Sequence, residues 1–171
     1  MDYRLKPISK NGIAAAIAKV ELYRYLNEPE EAESICHDIL AVDPAHQIAL
    51  RMLGLAITDQ FTGHPTDRYA EAEPIFQSLT DRYECNYYTG IYFERRGKAQ
   101  LQAGKPPHTL LVLFEEAMRH FAAAEQLRPP ENDDAILRWN RCVRLLQSRP
   151  EFHLEREVRA FEGSDSPPLP R

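Results

Sequence analysis

The chain has 171 residues, 43% of them apolar and 27% charged, the composition of an ordinary globular domain with room for a sizeable core. Its formal net charge is −5, from 26 acids against 21 bases, which argues against a nucleic-acid binder, whose balance is strongly basic. No apolar run approaches the roughly 20 residues needed to cross a bilayer. Lys19 and Glu21 interrupt the stretch from Ile13 where a signal core would lie, so a cytoplasmic protein with no membrane partner is expected.

The apolar pattern is helical nearly throughout, and no stretch alternates with period two, so an all-α fold is expected. Residues 1–11 read as an N-terminal extension, and residues 12–163 as the helical domain. Asn11 is placed to cap a first helix from about Gly12 to Leu26. Pro29 suits the first turn of a second helix, and Glu30, Glu31 and Glu33 suit the positive end of its dipole. That helix carries Ala32, Ile35, Cys36, Ile39 and Leu40 on one face and ends at Asp43-Pro44. A third helix, Ala45 to Phe61, has Ile48, Leu50, Leu53, Ala56 and Ile57 as its apolar set, and Thr62-Gly63-His64-Pro65 is a loop.

A fourth helix is expected from Asp67 to Arg82, burying Tyr69, Ala72, Ile75, Phe76 and Leu79. A fifth runs from Glu84 to Ala103, where Gly104-Lys105-Pro106-Pro107 stops it. The sixth, Thr109 to Leu127, turns Leu111, Phe114, Ala117, Met118, Phe121 and Ala124 inward, and Pro129-Pro130 ends it. Asn132 and Asp133 are placed to cap a seventh that reaches Ser148, and Pro150 starts an eighth that reaches Gly163. Residues 164–171 read as a disordered Pro-rich tail.

Site chemistry is sparse. Cys36, Cys85 and Cys142 are odd in number and far apart with no CxxC, so they make neither a disulfide framework nor a zinc site. No two histidines lie at i, i+4, and His37 beside Cys36 points about 100° away from it on a helix. Gly-rich phosphate loops are hard to build from seven glycines. No enzyme, metal or cofactor is expected.

The second helices of successive pairs share a pattern. The first reads Glu31-Ala32-x3-Cys36-x2-Ile39-x4-Pro44, and the third reads Glu116-Ala117-x3-Phe121-x2-Ala124-x4-Pro129. Between them stands Glu71-Ala72-x3-Phe76-x2-Leu79, without the closing proline. A small residue lets two helices approach, a larger one a turn later fills the groove, and proline ends the pair. This resembles the tetratricopeptide repeat family. Leu53-Gly54 stands at that family's Leu-Gly pair and Tyr23 at its aromatic position. In the third pair Gly97 and Gly104, seven apart, stand like the family's small residue and its turn glycine, with Gly90 competing with Gly97 for the small residue. The marker alanines Ala32, Ala72 and Ala117 are 40 and 45 residues apart, against a family period of about 34. The excess falls in the 62–68 loop and between Gly97 and Ala117.

The resemblance covers Ala14 to Ser148. It implies a right-handed superhelical stack of antiparallel helix pairs, about 3.5 irregular repeats in seven or eight helices. A generic helical bundle fits the apolar stripes as well. The resemblance also implies a non-catalytic protein-interaction module, an adaptor or assembly chaperone, that binds a peptide or protein segment on a concave surface lined by first helices. The family's Lys, Asn and Arg set for a C-terminal carboxylate is absent, since the corresponding neighbourhoods hold Ile17, Arg51, Met52 and Leu55.

The residues expected to contact that partner are Tyr87, Tyr88, Ile91, Tyr92 and Arg95 on the fifth helix and Arg138, Arg141 and Arg144 on the seventh. Tyrosine and arginine are common interface anchors, and a basic-aromatic surface suits an acidic segment. The bland alternative pairs the arginines with Glu94, Asp133 and Asp134 and packs the tyrosines between helices. Two further readings stay open: a nucleic-acid-associated protein using Arg95, Arg96, Arg138, Arg141 and Arg144, and a self-associating subunit that forms a homodimer. The terminal Pro167-Pro168-Leu169-Pro170 run has the composition of a polyproline II ligand.

Overall fold

Ser9, not Asn11, opens the helical part of the chain. Its hydroxyl accepts a hydrogen bond from the Gly12 N–H at 3.2 Å across a single 3-10 turn, Lys10–Gly12. The computed structural model describes residues 2–152, and among these it contains no strand and seven α-helices. They are α1 (Ile13–Tyr25), α2 (Pro29–Val42), α3 (Gln47–Asp59), α4 (Tyr69–Gln77), α5 (Arg82–Gln102), α6 (Pro107–Glu125) and α7 (Asp134–Gln147). Residues 150–152 are helical again. The expected course of the eighth helix to Gly163 and the Pro-rich tail lie outside the described residues.

The helix ends follow local chemistry. Pro29 occupies the first turn of α2, where its missing N–H costs nothing. His46 Nδ1 accepts from the Ala49 N–H at 3.2 Å and caps α3. Asp81 accepts from the Glu84 N–H at 3.0 Å and caps α5. Beyond α5, Gly104 takes φ +82, the left-handed conformation that closes a helix.

One helix departs from expectation. α4 stops at Gln77 instead of running to Arg82. The Ser78 hydroxyl donates to the Ile75 carbonyl at 2.7 Å, and Gln47 Oε1 of α3 accepts from both the N–H and the hydroxyl of Thr80, at 2.8 and 3.0 Å. These bonds hold residues 78–81 as a turn, so α4 and α5 are separate helices.

The 62–68 insertion is a closed loop. The Asp67 carboxylate accepts from the Thr62 and Gly63 N–H groups, the Thr62 hydroxyl and the Tyr69 hydroxyl, at 2.6–3.1 Å. Gly63 has φ +84, and a Cβ there would lie 2.4 Å from the Ala99 carbonyl oxygen of α5, so only glycine seats the loop.

Each helix packs on the next in sequence, and α3 packs in addition on α1 and on α5. The marker residues hold equivalent places. Ala32, Ala72 and Ala117 are fully buried, and so are Cys36, Phe76 and Phe121 one turn later. A Cβ on Gly54 would lie 2.5 Å from the Phe76 ring, and one on Gly90 would lie 2.6 Å from the Phe121 ring. Gly90 therefore takes in the third pair the part that Gly54 takes in the second. Gly97, one heptad on, faces Phe114, one heptad back from Phe121. That is the register of an antiparallel helix pair. Ile48 of the expected apolar set is exposed.

Candidate partner-binding face

α1, α3, α5 and α7 are tied together by two carboxylates. Asp59, the last residue of α3, receives Arg24 Nε of α1 at 2.7 Å and Arg95 Nη1 of α5 at 2.5 Å. Arg95 Nη1 also donates to the Thr58 hydroxyl at 2.6 Å and the Leu55 carbonyl at 3.1 Å. A cation at the carbonyl end of α3 is favourable both as a donor and toward the helix dipole. Burial pushes the Arg95 pKa down, with Asp59 opposing. The neighbouring Glu94 is fully buried and binds Lys98 and, at 3.3 Å, Arg138 Nη1 of α7. Burial opposes the charge on Arg138, but Glu94 and Tyr87 outweigh it and raise its pKa.

Along the start of α5 runs a row of rings. Tyr83 stacks on Tyr87 with centroids 5.7 Å apart and planes 8° apart. Tyr87 meets Tyr88 edge-on at 5.1 Å, and Tyr88 stacks on Phe76 at 5.9 Å. The Arg51 guanidinium of α3 lies 5.7 Å from the Tyr88 centroid while its Nη1 pairs with Glu84 at 2.6 Å. The Tyr83 hydroxyl donates to Asn132 Oδ1 at 3.2 Å, and that oxygen also accepts from the Asp134 N–H at the start of α7. Burial, with Asp134 adding to it, pushes the Tyr83 pKa up to about 12.

The expected contact residues divide into three sets. Ile91 and Tyr92 are 3% and 1% exposed and belong to the core, so their place on a binding face is corrected. The reason is local: Tyr92 packs edge-on against Phe61 and Phe93, and its hydroxyl accepts from Arg96 Nη1 at 3.1 Å. Arg95 and Arg138 are partly exposed and spend their donors on Asp59 and Glu94, so neither is a free cation. Tyr87 and Tyr88 are half-buried, and Arg141 and Arg144 are exposed with no ion pair among the described residues. Tyr83 was not in the expected set, although its i, i+4 spacing to Tyr87 places both on one side of α5.

A second feature lies between α6 and α7, where Glu115, Met118, Arg119, Ala122 and Trp139 line a shallow notch. Among the described residues no helix is long and apolar enough to cross a membrane, and no group of three or more His, Cys, Asp or Glu side chains could hold a metal ion. No family model, curated protein or solved structure matches the chain.

Proposed function

We propose that the chain is a non-catalytic interaction module of the tetratricopeptide-repeat type, a right-handed superhelical stack of about 3.5 irregular repeats, that binds a protein or peptide segment beside the tyrosine row of α5. The observation that carries the repeat is the matched pairing of Gly54 with Phe76 and Gly90 with Phe121, each phenylalanine four residues after a buried alanine. The site consists of Tyr83, Tyr87 and Tyr88, which offer half-buried rings at low entropic cost, with Arg141 and Arg144 as the cations left to meet an acidic partner. Cytoplasmic placement fits three unpaired thiols. The nucleic-acid reading is weakened because Arg95 and Arg138 already face carboxylates and Arg96 lies over the Tyr69 ring at 4.5 Å.

The test compares tagged wild type with Tyr87→Ala and with Arg141→Glu/Arg144→Glu, each passed over native lysate at low and moderate salt. A stoichiometric protein captured by wild type and lost from both variants supports the reading. Capture that is identical for all three, or that consists of nucleic acid released by salt, rejects it.

A further inference from the structure

α1 packs against α2, α3 and the 3-10 turn before it, and among the described residues no other helix covers its opposite side. Ala14, Ala15, Ala18, Leu22 and Tyr25, with Leu26 just beyond, form one exposed apolar stripe, edged by Lys19 and Glu21. Leu22, Tyr25 and Leu26 are 50%, 88% and 52% exposed. Of the nine exposed large apolar side chains among the described residues, five are Tyr3, Leu5, Leu22, Tyr25 and Leu26, so the exposure is concentrated at this end of the fold. A helix that ends a stack normally turns a polar side outward, and a helix apolar on all sides is normally covered.

We propose that this stripe is the contact surface for a second copy of the chain, with the two α1 helices packed antiparallel across a two-fold axis. The distribution of side-chain size is the first argument. The small residues Ala14, Ala15 and Ala18 occupy the N-terminal half of the stripe, and the bulky Leu22, Tyr25 and Leu26 occupy the other half. An antiparallel two-fold sets each bulky half against the partner's alanines, as a self-complementary interface requires. A parallel pair would set bulk against bulk and leave the alanine end loose.

Charge is the second argument. The extension and turn before α1 carry Lys6 and Lys10, and the segment after it carries Glu28, Glu30 and Glu31. All five are exposed, and none has an ion pair among the described residues. Asn27, Glu28, Pro29, Glu30 and Glu31 line a shallow acidic pocket at that corner. Antiparallel packing brings the lysines of one copy to the glutamates of the other twice over. The opposed helix dipoles add to the attraction.

Sedimentation velocity of the full chain over a concentration series tests this. The wild type is expected to sediment as a dimer at micromolar concentration, with dissociation promoted by salt. Ala18→Glu, at the centre of the stripe, should leave the helical circular dichroism unchanged and give a monomer. Lys6→Glu/Lys10→Glu and Glu28→Lys/Glu30→Lys should each weaken the dimer roughly tenfold. The two sets combined should restore it, which a merely structural role for these charges would not do. A wild type that stays monomeric to about 100 μM, a dimer insensitive to Ala18→Glu, or failure of the combined swap to rescue would each overturn the proposal.

Discussion

The ring of Phe152 stands edge-on to the ring of Phe114, with centroids 5.8 Å apart and planes at 87°. Phe114 in turn covers Gly97, where a Cβ would lie 2.9 Å from the ring, so α5, α6 and the chain after α7 meet at one point. Phe152 is 3% exposed. Phe152→Ala should lower stability by about 3 kcal/mol, since it removes a buried ring and leaves a cavity against Phe114. Urea unfolding checks this by a lower midpoint at unchanged slope. A chain ended at residue 149 should lose at least as much.

Gly54→Ala sets two effects against each other. Alanine raises helix propensity by about 1 kcal/mol, but its methyl group would lie 2.5 Å from Phe76 Cε1. Phe76 is fully buried and cannot swing aside. Overpacking of this kind costs about 1–3 kcal/mol, so a net loss of about 1 kcal/mol is expected. Phe76→Leu in the same chain should recover part of it, and the Gly90–Phe121 pair should behave the same way. A double-mutant cycle in urea measures the coupling.

Arg95 and Arg141 should separate structure from binding. Asp59→Ala leaves Arg24 and Arg95 without their shared carboxylate, and with partial solvent screening the expected loss is about 2 kcal/mol. Arg141→Glu alters an exposed residue and should change stability by less than about 0.5 kcal/mol while weakening partner capture. Thermal unfolding and capture on the same two variants should therefore give opposite orders of effect.

Most helix ends were legible because their causes are local: Pro29 in a first turn, Gly104 after a last one, Asp43-Pro44 as a stop. The packing markers were legible for a similar reason, since Ala72 and Phe76 sit one turn apart whatever they touch. The end of α4 was not, because the bonds that hold Thr80 come from Gln47, 33 residues earlier. The partners of Arg95 are hidden for the same reason: Thr58 and Leu55 lie 37 and 40 residues back. α5 is lined with aromatics on more than one side, so its sequence alone did not separate the buried Tyr92 from the half-buried Tyr88.

The three thiols should react at different rates. Burial pushes the Cys36 and Cys142 thiols up to about 12, and both side chains are fully buried. Cys85 is partly exposed. A chromogenic disulfide reagent at pH 8 should therefore titrate one thiol in the native chain and three after addition of denaturant. Cys85→Ser should abolish the native signal and leave two thiols on unfolding. Rapid reaction of a second thiol in the native state would contradict the burial of α2 or α7.

Acid should loosen the 62–68 loop. Burial alone would raise the Asp67 pKa, but hydrogen bonds from Tyr69, Thr62 and Gly63 outweigh it and hold the carboxyl below the usual range. Glu33 is lowered too: its burial is outweighed by bonds from Gln60 and Arg68. A carboxylate with a depressed folded pKa contributes stability that is complete above its unfolded pKa, near 4, and is lost as pH falls through the folded value. Protonation of these carboxylates should thus make stability fall steadily below about pH 5, after a loss that begins near pH 6.5 because burial holds the His120 pKa below its usual value. Asp67→Asn should destabilise the chain at pH 7, because the amide accepts less strongly than the carboxylate it replaces. The same variant should lose less on acidification than wild type, and urea midpoints at a series of pH values give both readings. Parallel curves for the two proteins would mean that Asp67 titrates alike in the folded and unfolded chain, against the geometry of its loop.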